Sequence, residues 1–203
     1  MIKVGILALQ GAVREHACSF KACDVEVIEV KTAAHLAVVD GLVLPGGEST
    51  TMRRLIKVCD LTQPLIEFKE SKKPIFGTCA GLILLAKTVE NEQSSPLGNM
   101  DITVARNSFG RQVDSFETKL NIKHIGNDFP AVFIRAPHIA CANKHVEILA
   151  EYNDRIVMAK QENMLGCSFH PELTADNRVS QFFIDMIKEH KSSLKQNKPA
   201  MAA

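Results

Sequence analysis

The sequence predicts an α/β fold, a three-layer, doubly wound mixed sheet with helices on both faces. Three observations carry this reading. Residues 2–9 are almost wholly apolar, as in a strand buried on both faces of a parallel sheet. Strand-like and helix-like segments then alternate as far as residue 86. Glycine-bearing turns, Gln10-Gly11, Pro45-Gly46-Gly47 and Gly77 to Gly81, close the first, third and fourth of the strand-like runs.

Taken in order, residues 2–9 form the first strand and residues 12–22 carry apolar side chains at helical spacing (Ala12, Val13, Ala17, Phe20). Residues 25–30 are a second strand. Thr32 is placed to cap a short helix ending at Val38, and residues 41–44 form a third strand. Ser49 or Thr50 is the expected cap of a helix reaching about Val58, and a further helix covers 62–71. A strand at 74–77 leads into an apolar helix, Leu82 to Ala86. Between 100 and 160 helical periodicity is poor. Short β-type runs at 101–105, 113–120, 131–134, 146–150 and 155–160 suggest an antiparallel or mixed extension of the same domain. Residues 164–169 return as a strand, and 177–191 form an amphipathic helix with Val179, Phe182, Phe183, Met186 and Ile187 on one face. The expected organisation is one domain over 1–191 and a polar, frayed tail over 192–203.

Composition narrows the function classes. The net charge is +1, there is no Trp and only one Tyr, so neither a basic footprint nor a base-stacking platform for nucleic acid is evident. No run reaches the ~18 apolar residues of a membrane span, and the short apolar N-terminus lacks the basic leader and cleavage site of a signal peptide. Six cysteines lie scattered without a C-x-x-C pair, which weakens zinc and dithiol readings and fits a reduced, cytoplasmic setting.

Chemistry concentrates at three places. Gly77-Thr78-Cys79-Ala80-Gly81 sets a nucleophile between small residues at a strand-to-helix turn, the layout of a nucleophile elbow. A helix start offers unpaired N–H groups and a partial positive charge that favour a thiolate. A buried packing thiol fits the same five residues. The second place is His170-Pro171-Glu172. In an extended segment residues i and i+2 share a side, so a base and its orienting carboxylate are presented together. Alone, this triplet also fits a solvated turn. The third is Leu44-Pro45-Gly46-Gly47-Glu48-Ser49-Thr50 at a strand's carboxyl end, where open α/β sheets bind ligands. A backbone N–H there, of Gly47, together with that of Ala80, suits an oxyanion hole; a helix-capping turn is the alternative.

Together the Cys79 pentapeptide and His170-Pro171-Glu172 resemble the class I, triad type of glutamine amidotransferase, whose fold is flavodoxin-like. Leu7 to His16, Leu44 to Thr50, Ala105 to Gln112, Phe133 to Pro137 and Gly166 to Thr174 make the chain similar to the glutaminase subunits of pyridoxal 5′-phosphate synthases over about 2–190. The resemblance implies hydrolysis of L-glutamine to glutamate and ammonia, with ammonia passed to a separate barrel-shaped synthase subunit in a hetero-oligomer. It implies no cofactor and no metal. By the family's pattern Cys79 attacks the amide carbon, His170 shuttles protons and Glu172 orients it. Gly46, Gly47 and Glu48 match the loop lining the glutamine site, Arg106 matches a residue of that site, and Ile134 with Arg135 matches a second contact strip. Arg106 suits the substrate α-carboxylate because its planar fork matches that group. Gln10 is a candidate interface or oxyanion-loop residue, or simple helix entry. The remaining cysteines are expected to serve packing. Two other functions compete: a glutaminase serving another ammonia-using synthase, and a non-catalytic regulatory subunit on the same scaffold.

Overall fold

The structure, a computed structural model, describes residues 1–91, 97–106 and 115–196. In chain order the elements are β1 (Lys3–Leu7), α1 (Val13–Lys21), β2 (Glu26–Val30), α2 (Ala33–Ala37), β3 (Gly41–Leu44), α3 (Ser49–Val58), α4 (Thr62–Glu70), β4 (Ile75–Thr78), α5 (Ala80–Leu85), β5 (Ala86–Val89) and β6 (Met100–Ala105). They continue with β7 (Ser115–Ile122), β8 (Gly126–Ile134), β9 (His138–Ala142), β10 (Glu147–Tyr152), β11 (Arg155–Gln161), β12 (Met164–Cys167), a 3-10 turn (Pro171–Leu173) and α6 (Arg178–Gln196).

Among the described residues the main sheet runs β2-β1-β3-β4-β12-β11-β9-β6-β5, with β10 paired to β11. The half from β2 to β12 is parallel throughout, in register pairs such as Ile6 with Val43 and Phe76 with Leu165. From β12 onward the pairing turns antiparallel, apart from the parallel edge pair of β5 and β6. This is the expected mixed sheet. The pair β7–β8 stands apart from it as a two-stranded ribbon.

Side-chain alternation divides the core between the two faces. On β1, Val4 and Ile6 join one cluster and Leu7 the other; on β3, Val43 opposes Leu42 and Leu44 in the same way. One face is covered by α2 to α5 through Leu36, Met52, Ile56, Leu65, Phe68 and Leu82. The other is covered by α1 and α6, and by the ribbon, whose Phe129 and Phe133 pack against Phe169. Phe183 of α6 sits edge-on to Phe20 of α1 at 6.0 Å between ring centroids and 5.6 Å from Phe76 of β4, which closes the layer. Aromatic pairs at such spacings contribute ~0.5–1.5 kcal/mol each beyond their burial.

Several local expectations are corrected. Thr32 caps α2 through His35 N–H as expected, but α3 is capped by Glu48 and by neither Ser49 nor Thr50. The Glu48 carboxylate accepts from the Thr50 N–H at 3.4 Å and its hydroxyl at 2.9 Å, which leaves Ser49 inside the first turn. Strands β5 and β9 carry no strong sequence signal, being short and fixed by pairing with β6. Helix α6, expected over 177–191, starts at Arg178 and runs to Gln196. Cys18, Cys59 and Cys141, expected in the core, are exposed because they point off the outer faces of α1, the α3 end and β9. Of the expected run 113–120, residues 113 and 114 lie outside the described residues, as do residues 107–112 of the Ala105 to Gln112 segment.

Candidate active site

The carboxyl ends of β1, β3, β4 and β12 meet at one edge of the sheet, and every chemically distinctive turn of the sequence lies there. Between β4 and α5 the backbone reverses at Cys79, which adopts φ 48° and ψ −100°. That conformation is costly for a residue with a Cβ, on the order of 1–3 kcal/mol, and persists only when its surroundings hold it. Here the Cys79 N–H donates to the Cys167 carbonyl of β12 at 2.9 Å. The flanking glycines serve close packing: a Cβ on Gly81 would lie 2.0 Å from the Leu44 carbonyl oxygen, and one on Gly77 would lie 2.5 Å from the Gly81 backbone. The turn expected from flexible glycines is therefore taken by the cysteine itself.

His170 follows the end of β12 and its N–H donates to the Val132 carbonyl of the ribbon at 2.8 Å. The segment after it is a 3-10 turn, not the extended run expected from the sequence. Proline at the first helical position suits that turn, since its fixed φ is helical and its missing N–H is one the turn leaves unpaired. The outcome for the pair is nonetheless a contact: His170 Nδ1 donates to Glu172 Oε1 at 2.7 Å, with both residues buried. Burial opposes charge on His170, but Cys79 and then Glu172 outweigh it and push the imidazole up to about 10. Burial likewise opposes the Glu172 carboxylate, and His16 followed by His170 holds it below its usual value. His170 Nε2, the nitrogen not used by Glu172, is buried and has no hydrogen-bond partner among the described residues.

The Pro45 to Glu48 loop is pinned from the N-terminal side. Gly11, at φ 99°, comes so close that a Cβ would stand 1.9 Å from the Gly46 carbonyl oxygen, which accepts the Ala12 N–H at 3.0 Å. Gln10 Oε1 accepts the Glu48 N–H at 2.9 Å. Of the three readings for Gln10, the geometry fits a brace of this loop.

These elements enclose a cavity of about 360 Å³ bordered by Cys79, His170, Gly47, Ala80 and the side chains of Glu48, Arg106, Ile134 and Arg135. Of the sequence-expected site residues Gly46 and Glu172 are not in its wall: Glu172 is buried behind His170, and Gly46 packs beneath, where a Cβ would lie 2.4 Å from His170 Cε1. Gln10, Ser49, Ile83 and Pro137 complete the lining, and the last three were not among the expected site residues. Its wall carries a cation and an anion, since Arg106 Nη2 donates to Glu48 Oε1 at 3.1 Å. The same wall carries the thiol and the imidazole. Such a site suits acyl transfer on a small substrate bearing both an anionic and a cationic group. Among the described residues no cluster of three or more His, Cys, Asp or Glu could hold a metal. Cys167 is buried, its thiol donates to the Phe169 carbonyl at 3.3 Å, and burial raises its pKa well above the usual thiol value.

Known proteins agree with this architecture. The model of the SNO glutamine amidotransferase family matches residues 6–189. The pyridoxal 5′-phosphate synthase subunit PdxT of Geobacillus kaustophilus (strain HTA426) is 59% identical over 196 residues, covering 96% of this chain and 100% of that protein. The PdxT subunit of Bacillus pumilus (strain SAFR-032) is 56% identical over 194 residues, covering 96% and 99%. A crystal structure of a glutamine amidotransferase superposes with a TM-score of 0.87 at 41% identity, over 91% of this chain and 98% of that one. The structure of PurLQS from Thermotoga maritima, at 15% identity and a TM-score of 0.67 over 91% and 98%, shares the fold alone.

Proposed function

Because the chain belongs to the SNO glutamine amidotransferase family, we propose that it hydrolyses L-glutamine to L-glutamate and ammonia as the glutaminase subunit of a pyridoxal 5′-phosphate synthase. The observation that carries the chemistry is the 2.7 Å pair of His170 and Glu172 beside Cys79, at a cavity whose wall also holds the Arg106–Glu48 ion pair. The Cys79 thiolate attacks the side-chain amide carbon, and the carbonyl electron pair moves onto oxygen. The N–H groups of Ala80 and Gly47 receive that oxyanion. The first turn of α5 leaves the Ala80 N–H without a helical partner, and the Gly46 carbonyl points at Ala12, so the trans peptide aims the Gly47 N–H the opposite way.

Collapse of the tetrahedral species breaks the C–N bond, and the proton on His170 goes to the departing ammonia. The imidazole, now neutral, takes a proton from water, whose oxygen attacks the thioester carbon. Cleavage of the C–S bond returns the thiolate and frees glutamate. Glu172 fixes the ring and supports its charge. Arg106 takes the substrate α-carboxylate, Glu48 beside it takes the α-ammonium group, and Ile134 with Arg135 forms a second contact strip in the same wall. Ammonia passes to a barrel-shaped synthase subunit in a hetero-oligomer. The test is ammonia release from glutamine by the wild type and by Cys79→Ala, each with and without the synthase subunit. Loss of turnover in a folded Cys79→Ala protein is expected; wild-type turnover in that variant would overturn the mechanism.

A further inference from the structure

One buried titratable side chain has no part in the chemistry above. His16, on α1, is 1% exposed, and its Nε2 lies 3.0 Å from Thr78 Oγ1 and 3.5 Å from Glu172 Oε2. That second carboxylate oxygen is buried and lacks any hydrogen-bond partner among the described residues. Thr78 directly precedes Cys79. One ring nitrogen of the N-terminal helix thus stands between the strand that presents the thiol and the acid that orients the base. Its ring is fixed by Phe20, stacked at 6.4 Å, and by Phe76, edge-on at 6.3 Å.

We propose that His16 is a positioning residue of the triad, its Nε2–H held between Thr78 Oγ1 and Glu172 Oε2 so that Glu172 stays ionised and aligned through the whole cycle. The inference rests on the glutaminase reading given above. The groups that face His16 are Glu172 and His170 from the 3-10 turn region and Glu15 from its own helix. Burial lowers the pKa of His16 despite the pull of Glu172 and so favours the ring with a single N–H. The proton belongs on Nε2, because a lone pair facing an ionised carboxylate would be repelled. The need arises midway through the reaction. While His170 is charged, Glu172 has a counter-ion at 2.7 Å. Once His170 has given its proton to ammonia, Glu172 is a buried anion whose second oxygen faces the His16 ring nitrogen at 3.5 Å. A buried carboxylate without donors rises in pKa and turns away from its role.

The test compares His16→Phe, which keeps the ring and loses the donor, with His16→Gln, whose amide nitrogen can stand near the Nε2 position. Both are assayed for glutamine hydrolysis in the complex with the synthase subunit, alongside wild type and Cys79→Ala. Expected are a fall in kcat of about tenfold or more for His16→Phe with KM little changed, an acid limb of the kcat–pH profile moved to higher pH, and recovery of most of kcat in His16→Gln. If His16→Phe fails to fold, His16→Leu takes its place. Wild-type kcat in the donorless variant overturns the inference. So does an equal loss in His16→Gln with an unmoved acid limb, which marks simple packing. Full activity of Cys79→Ala would instead sink the glutaminase reading itself, whatever His16 does.

Discussion

Gly46 and His170 are packed so closely that a Cβ on the glycine would lie 2.4 Å from the imidazole Cε1 and 2.9 Å from Nδ1, the nitrogen that donates to Glu172. The loop after β3 therefore forms the floor on which the base rests, and the absence of a side chain at 46 fixes where the ring can sit. Gly46→Ala is expected to push the imidazole off Glu172 and lower kcat about a hundredfold, the scale of a misplacement near 1 Å. Steady-state kinetics together with thermal unfolding separates this from loss of fold.

Gly11 carries the opposite side of the same loop. Its φ of 99° and the 1.9 Å approach to the Gly46 oxygen leave no room for a methyl group. Gly11→Ala should destabilise the protein by about 1–3 kcal/mol through backbone strain, and by more if the Ala12 to Gly46 hydrogen bond breaks. Denaturant unfolding measures it. An unchanged midpoint would show that the loop relaxes without cost.

Arg106 and Glu48 meet at 3.1 Å in the wall of the cavity that Cys79 also lines. Arg106→Ala should raise KM for glutamine tenfold or more while lowering kcat less, because a carboxylate contact remote from the reacting carbon acts alike in ground and transition states. Arg106→Lys should recover only part, since a point charge lacks the two-pronged fork. A fall in kcat at constant KM would move Arg106 out of substrate binding.

The raised pKa of His170 makes stability depend on pH with a definite sign. The group binds its proton more tightly folded, at about 10, than unfolded, near 6.5. Its contribution is complete below about pH 6.5 and is lost as pH rises through about 10. Cys79 is the largest cause of the rise, so Cys79→Ala should lose less stability between pH 7 and pH 10 than the wild type does. A difference of ~1 kcal/mol corresponds to about 2–4 °C in Tm at this chain length. Parallel Tm curves across that range would show that the Cys79–His170 coupling is absent.

Much of the site was legible because its signals are local. Small residues around Cys79, a Pro-Gly-Gly turn after an apolar strand, and a histidine two residues before a glutamate are patterns that a short stretch of chain carries alone. The buried strands at 3–7, 41–44 and 75–78 announce themselves by unbroken apolar runs, since both of their faces are covered. What stayed illegible depends on partners distant in sequence. Strands β5 and β9 exist because β6 lies between them, and the ribbon of β7 and β8 leaves the main sheet because its aromatic face packs on Phe169. The 3-10 turn at Pro171 replaces an extended segment, yet still delivers Glu172 to His170.

The sequence by itself therefore determined the α/β class, the places of the buried strands of the parallel half and three candidate reactive side chains, because periodicity and turn chemistry are properties of neighbouring residues. Only the tertiary structure decided that Gly46 supports the base rather than lining the cavity, that Glu48 caps α3, and that Cys79 bears the strained turn flanked by glycines. It alone brought His16 to Thr78, 62 residues away, and to the unpartnered oxygen of Glu172. The physical reason is the same in each case: these relations are fixed by close packing at the carboxyl edge of the sheet, where a few ångströms of approach outweigh any local preference of the chain.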